Sequence, residues 1–462
     1  MKQLRPLTLT IIVLLIHLTS NGQLISKKES AAIDDILAES SRQFKPSTHL
    51  IQHVDILSMT DMKLQENQDV LIEDGVIRKI GKDIQHQGAT VIDGTSKYLM
   101  PGLTDMHVHL FDNHPLKNTW ILNLLINGVT SVRDLYGSPE KLVLRERIGR
   151  NEVLAPNLYQ SGRIINGIDD KFATYAPTAQ KGREIVQAHK KAGYDFIKVY
   201  DGLSKDVYKA IVDEANKQDI PVVGHVPDQV TFSGAIDAGQ KSIEHLTGYF
   251  KWEGSQVKII DDDYAEVTAE SETWNCPTIY NHYLNCSRSG ATNAVAYAES
   301  SGTVPDGISK MWSKRSASAS KEVNEIVDKY GASNFESLKR IILNLYQSNA
   351  KLIAGTDSGN LPFLVPGYSL HQELKLLSEI GIPTYEVLKM ATVNAAQAMN
   401  KSDEFGTVEV GKRADLLLLN SNPLENVENL TDKAGLMVRG IWLSKEDIEQ
   451  LIIRFFQKEI SE

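Results

Sequence analysis

Residues 102–110 read GLTDMHVHL. The run is nearly all apolar, as a strand of a parallel sheet covered on both faces must be. Its C-terminal end carries His107 and His109, and a spacing of two puts both side chains on one face of a strand. Seven runs of similar texture follow: TSVRDLY (130–136), NLYQSGRI (157–164), YDFIKVY (194–200), IPVVGHV (220–226), KSIEHL (241–246), NCPTIYNHY (275–283) and KLIAGTDS (351–358). Stretches between them, such as DVYKAIVDEANKQ (206–218) and FESLKRIILNLYQSN (335–349), space their apolar residues as amphipathic helices do. Eight such βα units predict an α/β chain of the (β/α)8 TIM-barrel class, with its chemistry at the C-terminal strand ends.

Polar residues stand where such a barrel works. Lys198 interrupts the fourth run, His225 closes the core of the fifth, His245 that of the sixth, and Asp357 that of the eighth. Singly, each has a plain reading: a hydrogen-bonded structural histidine, a snorkelling lysine, a turn aspartate. Buried without partners they would cost several kcal/mol each. Their shared register at strand ends instead predicts a divalent-metal site built from His107, His109, Lys198, His225, His245 and Asp357. Arg133 and Asp134, at the end of the second run, read as a structural pair. His49, His53, His86 and His189 read as surface residues of a β-domain and of helices.

The barrel is expected over 101–402, with an insertion at about 281–335 that is rich in Ser, Asn, Ala and Gly and reads as a lid or partly mobile excursion. Before it come short alternating segments, HVDILSM, QDVLIEDGVIRKIGKDI and ATVIDGTSKYLMPG, with a hairpin turn at Glu73-Asp74-Gly75. Matching segments, FGTVEVGKRADLLLL and KAGLMVRGIWL, follow it. Together they predict a small β-sandwich domain composed of 49–100 and 403–445. Residues 446–462 read as a docking helix, with Ile448, Leu451, Ile452, Phe455 and Phe456 at helical spacing.

The first 22 residues have the pattern of a secretory signal peptide: Lys2 and Arg5, an apolar run from Leu7 to Leu18, then Ser20-Asn21-Gly22 before Gln23. Residues 23–48 read as a leader or outer helix. The mature protein is therefore expected outside the cytoplasm, periplasmic or extracellular, and off the membrane once the signal is cleaved. The 462 residues carry 49 basic and 59 acidic side chains, a net charge of −10, which argues against nucleic acid as a partner. A small-molecule substrate fits better, and a homo-oligomer is compatible with the sequence. The two cysteines, Cys276 and Cys286, are too few for a cysteine metal site. They are either one bridge or two small apolar fillers.

LMPGLTDMHVHL, GVTSVRDLYG, YDFIKVY, the VVGHV and SIEHL pair, GTDSG, and ATVNAAQAMN followed by GTVEVGKRADLLLL together resemble the metal-dependent amidohydrolase superfamily. The similarity covers roughly 50–445 and points to the branch of imidazolonepropionase-like enzymes and binuclear Xaa-Pro dipeptidases. The resemblance implies two divalent ions, zinc being the expected metal. His107, His109 and Asp357 would hold the more buried ion, and His225 and His245 the more exposed one. Lys198 would be carbamylated by CO2 and bridge both ions as an anion. It also implies hydrolysis of a C–N bond in a dipeptide, N-acyl amino acid or cyclic amide by hydroxide shared between the metals. Asp357 would shuttle the proton, and Asp105 would orient metal-bound histidines from behind. Deaminases of the superfamily usually lack the lysine and one metal.

The chain departs from the dipeptidase pattern at two places. The fifth run continues His225-Val226-Pro227-Asp228 in place of an HAxG-type segment, and the third continues SGRIINGIDD without a histidine. Substrate contacts are therefore not carried over, and Tyr200, Arg163, Tyr280 and His282 stand as candidates. Hydrolysis of a lactone or phosphoester on the same metals is the second reading. A non-catalytic binding barrel is the third, disfavoured because a barrel without turnover has no need of six convergent polar groups.

Overall fold

Each apolar run contributes a strand, in a computed structural model that describes residues 39–110, 117–318, 321–359 and 361–456. The seventh and eighth runs are corrected: the seventh is strand only to Cys276, its Tyr280 and His282 lying on the helix Ile279–Cys286, and the eighth only at Lys351–Leu352. The signal segment, the leader as far as residue 38 and the end of the C-terminal helix lie outside the described residues. The eight barrel-type strands are β1 (Leu103–Val108), β2 (Val129–Asp134), β3 (Asn157–Gln160), β4 (Ile197–Val199), β5 (Val222–Gly224), β6 (Ser242–Glu244), β7 (Trp274–Cys276) and β8 (Lys351–Leu352). All are parallel to their neighbours; β1–β3 share one sheet and β4–β8 another, in sequence order. Single parallel bridges, Ser161 to Phe196 and Val108 to Ser358, link the edges of the two sheets. Every residue of β1 to β7 is buried, which explains why these runs lack the alternation of a half-exposed strand.

Helices separate the strands. Ala179–Ala192 starts at Thr178, whose side chain accepts from Lys181 N, and ends at Gly193 with φ 89°. Lys205–Lys217 is capped in the same way by Ser204. The excursion after β7 is helical through its described residues, with Ile279–Cys286, Arg288–Ser300, Asp306–Ala317, Lys321–Ile326, a π turn at Val327–Gly331, and Ala332–Gln347. Its Ser and Asn content reads as loop, but alanines favour helix. Val295, Ile308 and Trp312 then bury in the main core, which outweighs local preference. Among the described residues no helix is long and apolar enough to cross a membrane.

Strands from both ends of the chain pair into one hydrogen-bonded sheet. His49–Leu57, Leu64–Glu73, Val76–Gly81, Thr90–Asp93 and Tyr98–Pro101 come before the barrel strands; Leu416–Leu419, Lys433–Val438 and Ile441–Ser444 come after them. Asp74 (φ 52°) and Gly75 (φ 74°) make the tight turn with both central residues left-handed. A Cβ on Gly75 would lie 2.8 Å from Arg439 O, so the turn also needs glycine to approach the C-terminal segment. Asn157, at the start of β3, donates to Asp415 Oδ2 at 2.9 Å and ties this sheet to the strand ring.

Of the two readings left open for the cysteines, the structure takes the second: Cys276 and Cys286 are free and buried apolar fillers. Two further expectations are corrected. His49 is buried beside Ser47, and His189 packs edge-on over Gly162, where a Cβ would lie 2.2 Å from its Nδ1. Burial pushes His189 down to about 4. Arg133 does not pair with Asp134: Asp134 faces outward to the ammonium of Lys141 at 2.7 Å, while Arg133 points inward. Neighbours along a strand face opposite sides, so they cannot share a contact.

Candidate metal centre

β1 brings His107 and, just past its end, His109 to the same end of the strand ring as Asp357. His107 Nε2 stands 3.2 Å from His109 Nε2, and Asp357 Oδ1 lies 2.9 Å from the latter and 3.5 Å from the former. Burial first, then the charge of Lys198, holds His107 well below the usual imidazole range, so its ring is neutral. Burial pushes Asp357 up, but His245, His109 and His107 outweigh it and hold the group below the usual carboxylate range. Neutral imidazole nitrogens and an anionic oxygen in one small volume are a donor set for a divalent cation.

His245 and His225 continue the cluster. Ring centroids are 4.5 Å apart for His107 and His245, and 5.0 Å for His245 and His225. In three of these histidines Nδ1 is engaged by the chain itself. His107 Nδ1 faces Glu244 Oε2 at 2.8 Å, His225 Nδ1 faces Asp201 Oδ1 at 2.6 Å, and His245 Nδ1 faces Thr278 Oγ1 at 2.8 Å. A carboxylate on Nδ1 makes that nitrogen the donor and leaves Nε2 unprotonated for a metal. Glu244 is fully buried. It receives Arg133 Nη2 at 2.7 Å and the Ser242 hydroxyl, and Arg133 reaches Met106 O at 2.6 Å. Burial pushes the Glu244 carboxyl up, but Arg133 outweighs it and keeps it anionic.

Lys198 is fully buried, and its Nζ has no hydrogen-bond partner among the described residues. Burial lowers its pKa to about 8, with Glu244 and Asp357 the nearest opposing charges. Gly224, at φ 132°, lets β5 close on β4: a Cβ there would lie 2.3 Å from Val199 O and 3.1 Å from Lys198 Cδ. An amine without a partner among the described residues, close to His107, His245 and Asp357, fits a site that could hold a divalent cation, and the donor atoms of His107, His109 and Asp357 lie close enough together to do so.

Asp105 acts on backbone. Its carboxylate accepts from His107 N and Thr356 N, each at 3.1 Å, and from Thr356 Oγ1 at 2.7 Å. It thus joins β1 to the turn that carries Asp357, and the ring of His107 is oriented by Glu244 instead. Burial raises Asp105 to about 7.

The four candidate substrate residues separate. Tyr200 stacks on His225, with centroids 4.1 Å apart. His282 approaches His245 O with its Nε2 at 3.2 Å, and burial lowers it to about 4. Tyr280 is buried among Tyr283 and Tyr368 as packing. Arg163 is exposed and donates to the carbonyls of Lys171 and Phe172, so its guanidinium braces its own loop. Asn281, missed in the sequence, donates to Asp357 Oδ2 at 2.9 Å. Glu244 did leave a signal, since it breaks the apolar SIEHL strand as Lys198 breaks FIKVY. Asn281 and Thr278 left none.

Some of the chain's left-handed non-glycine backbone lies at and beside these residues. His245, Leu246, Thr278 and Asp357 have φ of 58°, 58°, 50° and 63°. Left-handed backbone at non-glycine residues costs on the order of 1–3 kcal/mol each and persists where the surroundings impose it.

A model of the amidohydrolase family matches residues 98–443. The chain is 24% identical over 433 residues to a 5-methylthioadenosine/S-adenosylhomocysteine deaminase of Caldanaerobacter subterraneus, covering 81% of this chain and 84% of that one. In structure it is similar to bottromycin amidohydrolase, with a TM-score of 0.76 at 24% identity over 92% of this chain and 93% of the other. It is also similar to a Xaa-Pro dipeptidase with methionine bound in its active site, with a TM-score of 0.64 at 20% identity over 86% of this chain and 100% of that one. These neighbours imply a TIM-barrel-type α/β fold, in keeping with the parallel strands β1 to β8. The match runs from the outer-sheet strand Tyr98–Pro101 through all eight strands β1 to β8, and on that ground the chain belongs to the amidohydrolase family and is a hydrolase of carbon–nitrogen bonds.

Proposed function

We propose that this protein is an exported, binuclear metal-dependent hydrolase that cleaves an amide, peptide or cyclic amide bond, with a dipeptide or N-acyl amino acid as the substrate class to test first. The eight strands are read as a closed barrel and the outer sheet as a sandwich folded over its own core of Ile51, Ile56, Ile72, Leu99 and Leu416. The observation that carries the metal reading is the buried, unpartnered amine of Lys198 beside His107, His245 and Asp357. A buried ammonium is costly, whereas a carbamate formed on the same nitrogen is an anionic ligand for two cations. His107, His109 and Asp357 would hold one ion, His225 and His245 the other, and carbamylated Lys198 both.

When bound, such ions acidify water and polarise a carbonyl. The chain's own part is to hold that pair dry and to move protons. Glu244, Asp201 and Thr278 keep Nδ1 of three histidines occupied, so that Nε2 faces inward. Asp357, anionic and reached at Oδ2 by the Asn281 amide, is placed to take a proton at a carboxylate oxygen and return it to the departing nitrogen. The signal-like segment 1–22 supports export, and N-terminal sequencing of secreted protein, with Gln23 first, tests it.

The deciding experiment is metal analysis followed by a screen of zinc-loaded protein against dipeptides, N-acyl amino acids, hydantoins and lactones. About two ions per chain and turnover of an amide are expected. Fewer than about 1.5 ions would overturn the binuclear reading, and turnover of the lactone alone would move the chain to ester chemistry.

A further inference from the structure

Glu373 is a fully buried carboxylate on the helix Tyr368–Glu379, far in sequence from the histidines, and nothing in the proposed chemistry uses it. Its Oε1 accepts from Ile279 N at 2.9 Å and its Oε2 from Tyr280 N at 2.8 Å. These are the first two amides of the helix Ile279–Cys286. A helix that begins at a threonine ordinarily uses the threonine hydroxyl to accept one of these free N–H groups. Here Thr278, at the cap position, makes no such bond, because its Oγ1 is 2.8 Å from Nδ1 of His245. The cap has been handed to another helix.

The same short segment reaches the metal centre three times. Thr278 contacts the His245 ring, Asn281 donates to Asp357 Oδ2, and His282 approaches His245 O. Thr278 also sits at φ 50°, a conformation a β-branched residue does not keep unless it is held. The two bonds from Glu373 are what hold it. Burial pushes the Glu373 carboxyl up to about 8 against the pull of those two amides, so a buried acid is retained at a cost in a place where packing alone has no need of one.

We propose that Glu373 is a positioning residue: by capping Ile279–Cys286 in place of Thr278, it frees the Thr278 hydroxyl to orient His245 and sets Asn281 against Asp357. This rests on the metal-centre reading above. The test compares Glu373→Gln, Thr278→Ala and the double variant in full-length protein. The Gln variant keeps one acceptor and turns an N–H donor toward a backbone N–H. Zinc affinity is read by chelator competition. Separately, the ring nitrogens of His245 are read by NMR in the metal-free protein.

Each single variant should weaken zinc binding by about tenfold, and the double variant by no more than about twofold beyond the weaker single one, since both act through one contact. In metal-free Glu373→Gln the His245 ring should lose the fixed Nδ1–H form. Additive effects, or a lower Tm with zinc affinity and His245 shifts unchanged, would overturn the role. If wild-type protein took up no zinc, the metal reading would fall, while the His245 shifts would still decide whether Glu373 positions that ring. Should Glu373→Gln not fold, Glu373→Asp, which keeps the carboxyl group but draws its oxygens back by one methylene, gives the same comparison.

Discussion

Glu244 and His107 meet inside the strand ring with Oε2 2.8 Å from Nδ1, although 137 residues separate them in the chain. Both side chains are fully buried, and Arg133 completes the line by donating to Glu244 Oε1 at 2.7 Å. A buried carboxylate that keeps its charge must be paired, and here it is paired with a cation on one side and an imidazole N–H on the other. The imidazole is thereby held as one tautomer, with the opposite nitrogen facing His109 and Asp357.

Glu244→Gln should therefore weaken metal binding by about 10- to 100-fold and lower Tm, because Arg133 loses its counter-charge inside the ring. Chelator competition and thermal melts read the two effects. Unchanged zinc affinity would remove Glu244 as the group that orients His107.

Asp357→Asn should retain much of the metal while turnover falls at least about 100-fold, since an amide cannot take up the proton. Metal content and kcat, measured on the same preparation, separate these outcomes. Near-normal turnover would remove Asp357 as the shuttle.

Asn281→Ala leaves Asp357 Oδ2 without its donor. A carboxylate that loses a hydrogen bond to its charged form titrates higher, so the acid limb of the kcat profile should move to higher pH with metal content unchanged. An unshifted limb would show that Asn281 does no more than fill space.

Lys198→Ala should cost one metal and most activity, and short-chain carboxylic acids should restore part of both by standing where the carbamate oxygens would. The metal-free protein carries a second, independent signature. Burial brings the Lys198 pKa from 10.5 down to about 8, so the folded chain binds this proton less tightly than the unfolded one. The penalty is full below about 8 and fades as pH rises toward 10.5. Lys198→Met should thus raise the Tm of metal-free protein more at pH 7 than at pH 10. An equal change at both would mean the ammonium is not buried as described.

Much of the ring was legible because each strand is buried on both faces and so writes a continuous apolar run into the sequence. A polar residue inside such a run is conspicuous: His107, Lys198, His225, His245 and Asp357 all stood out for that reason. Glu244 interrupts its run in the same way but passes unnoticed beside His245, and Arg133 is noticed without its partner. Arg133 next to Asp134 invites a pair, whereas the pleat sends Asp134 out to Lys141 and Arg133 across the ring to Glu244. Past β7 the sequence showed the last helix, Ala332–Gln347, but not those before it, because their Ser and Asn content reads as loop until Val295, Ile308 and Trp312 find the core.

By itself, then, the sequence determined the eight buried strands, the two-ended outer sheet and the set of imidazole, amine and carboxylate groups at the strand ends. These are local properties, carried by hydrophobic periodicity and by the cost of burying charge. Only the tertiary structure decided which carboxylate turns each imidazole, that Asp105 braces backbone, that Arg163 braces its own loop, and that Glu373 caps a helix whose own threonine serves His245. Those choices join residues that are distant along the chain, and hydrophobic periodicity carries no record of which buried groups meet.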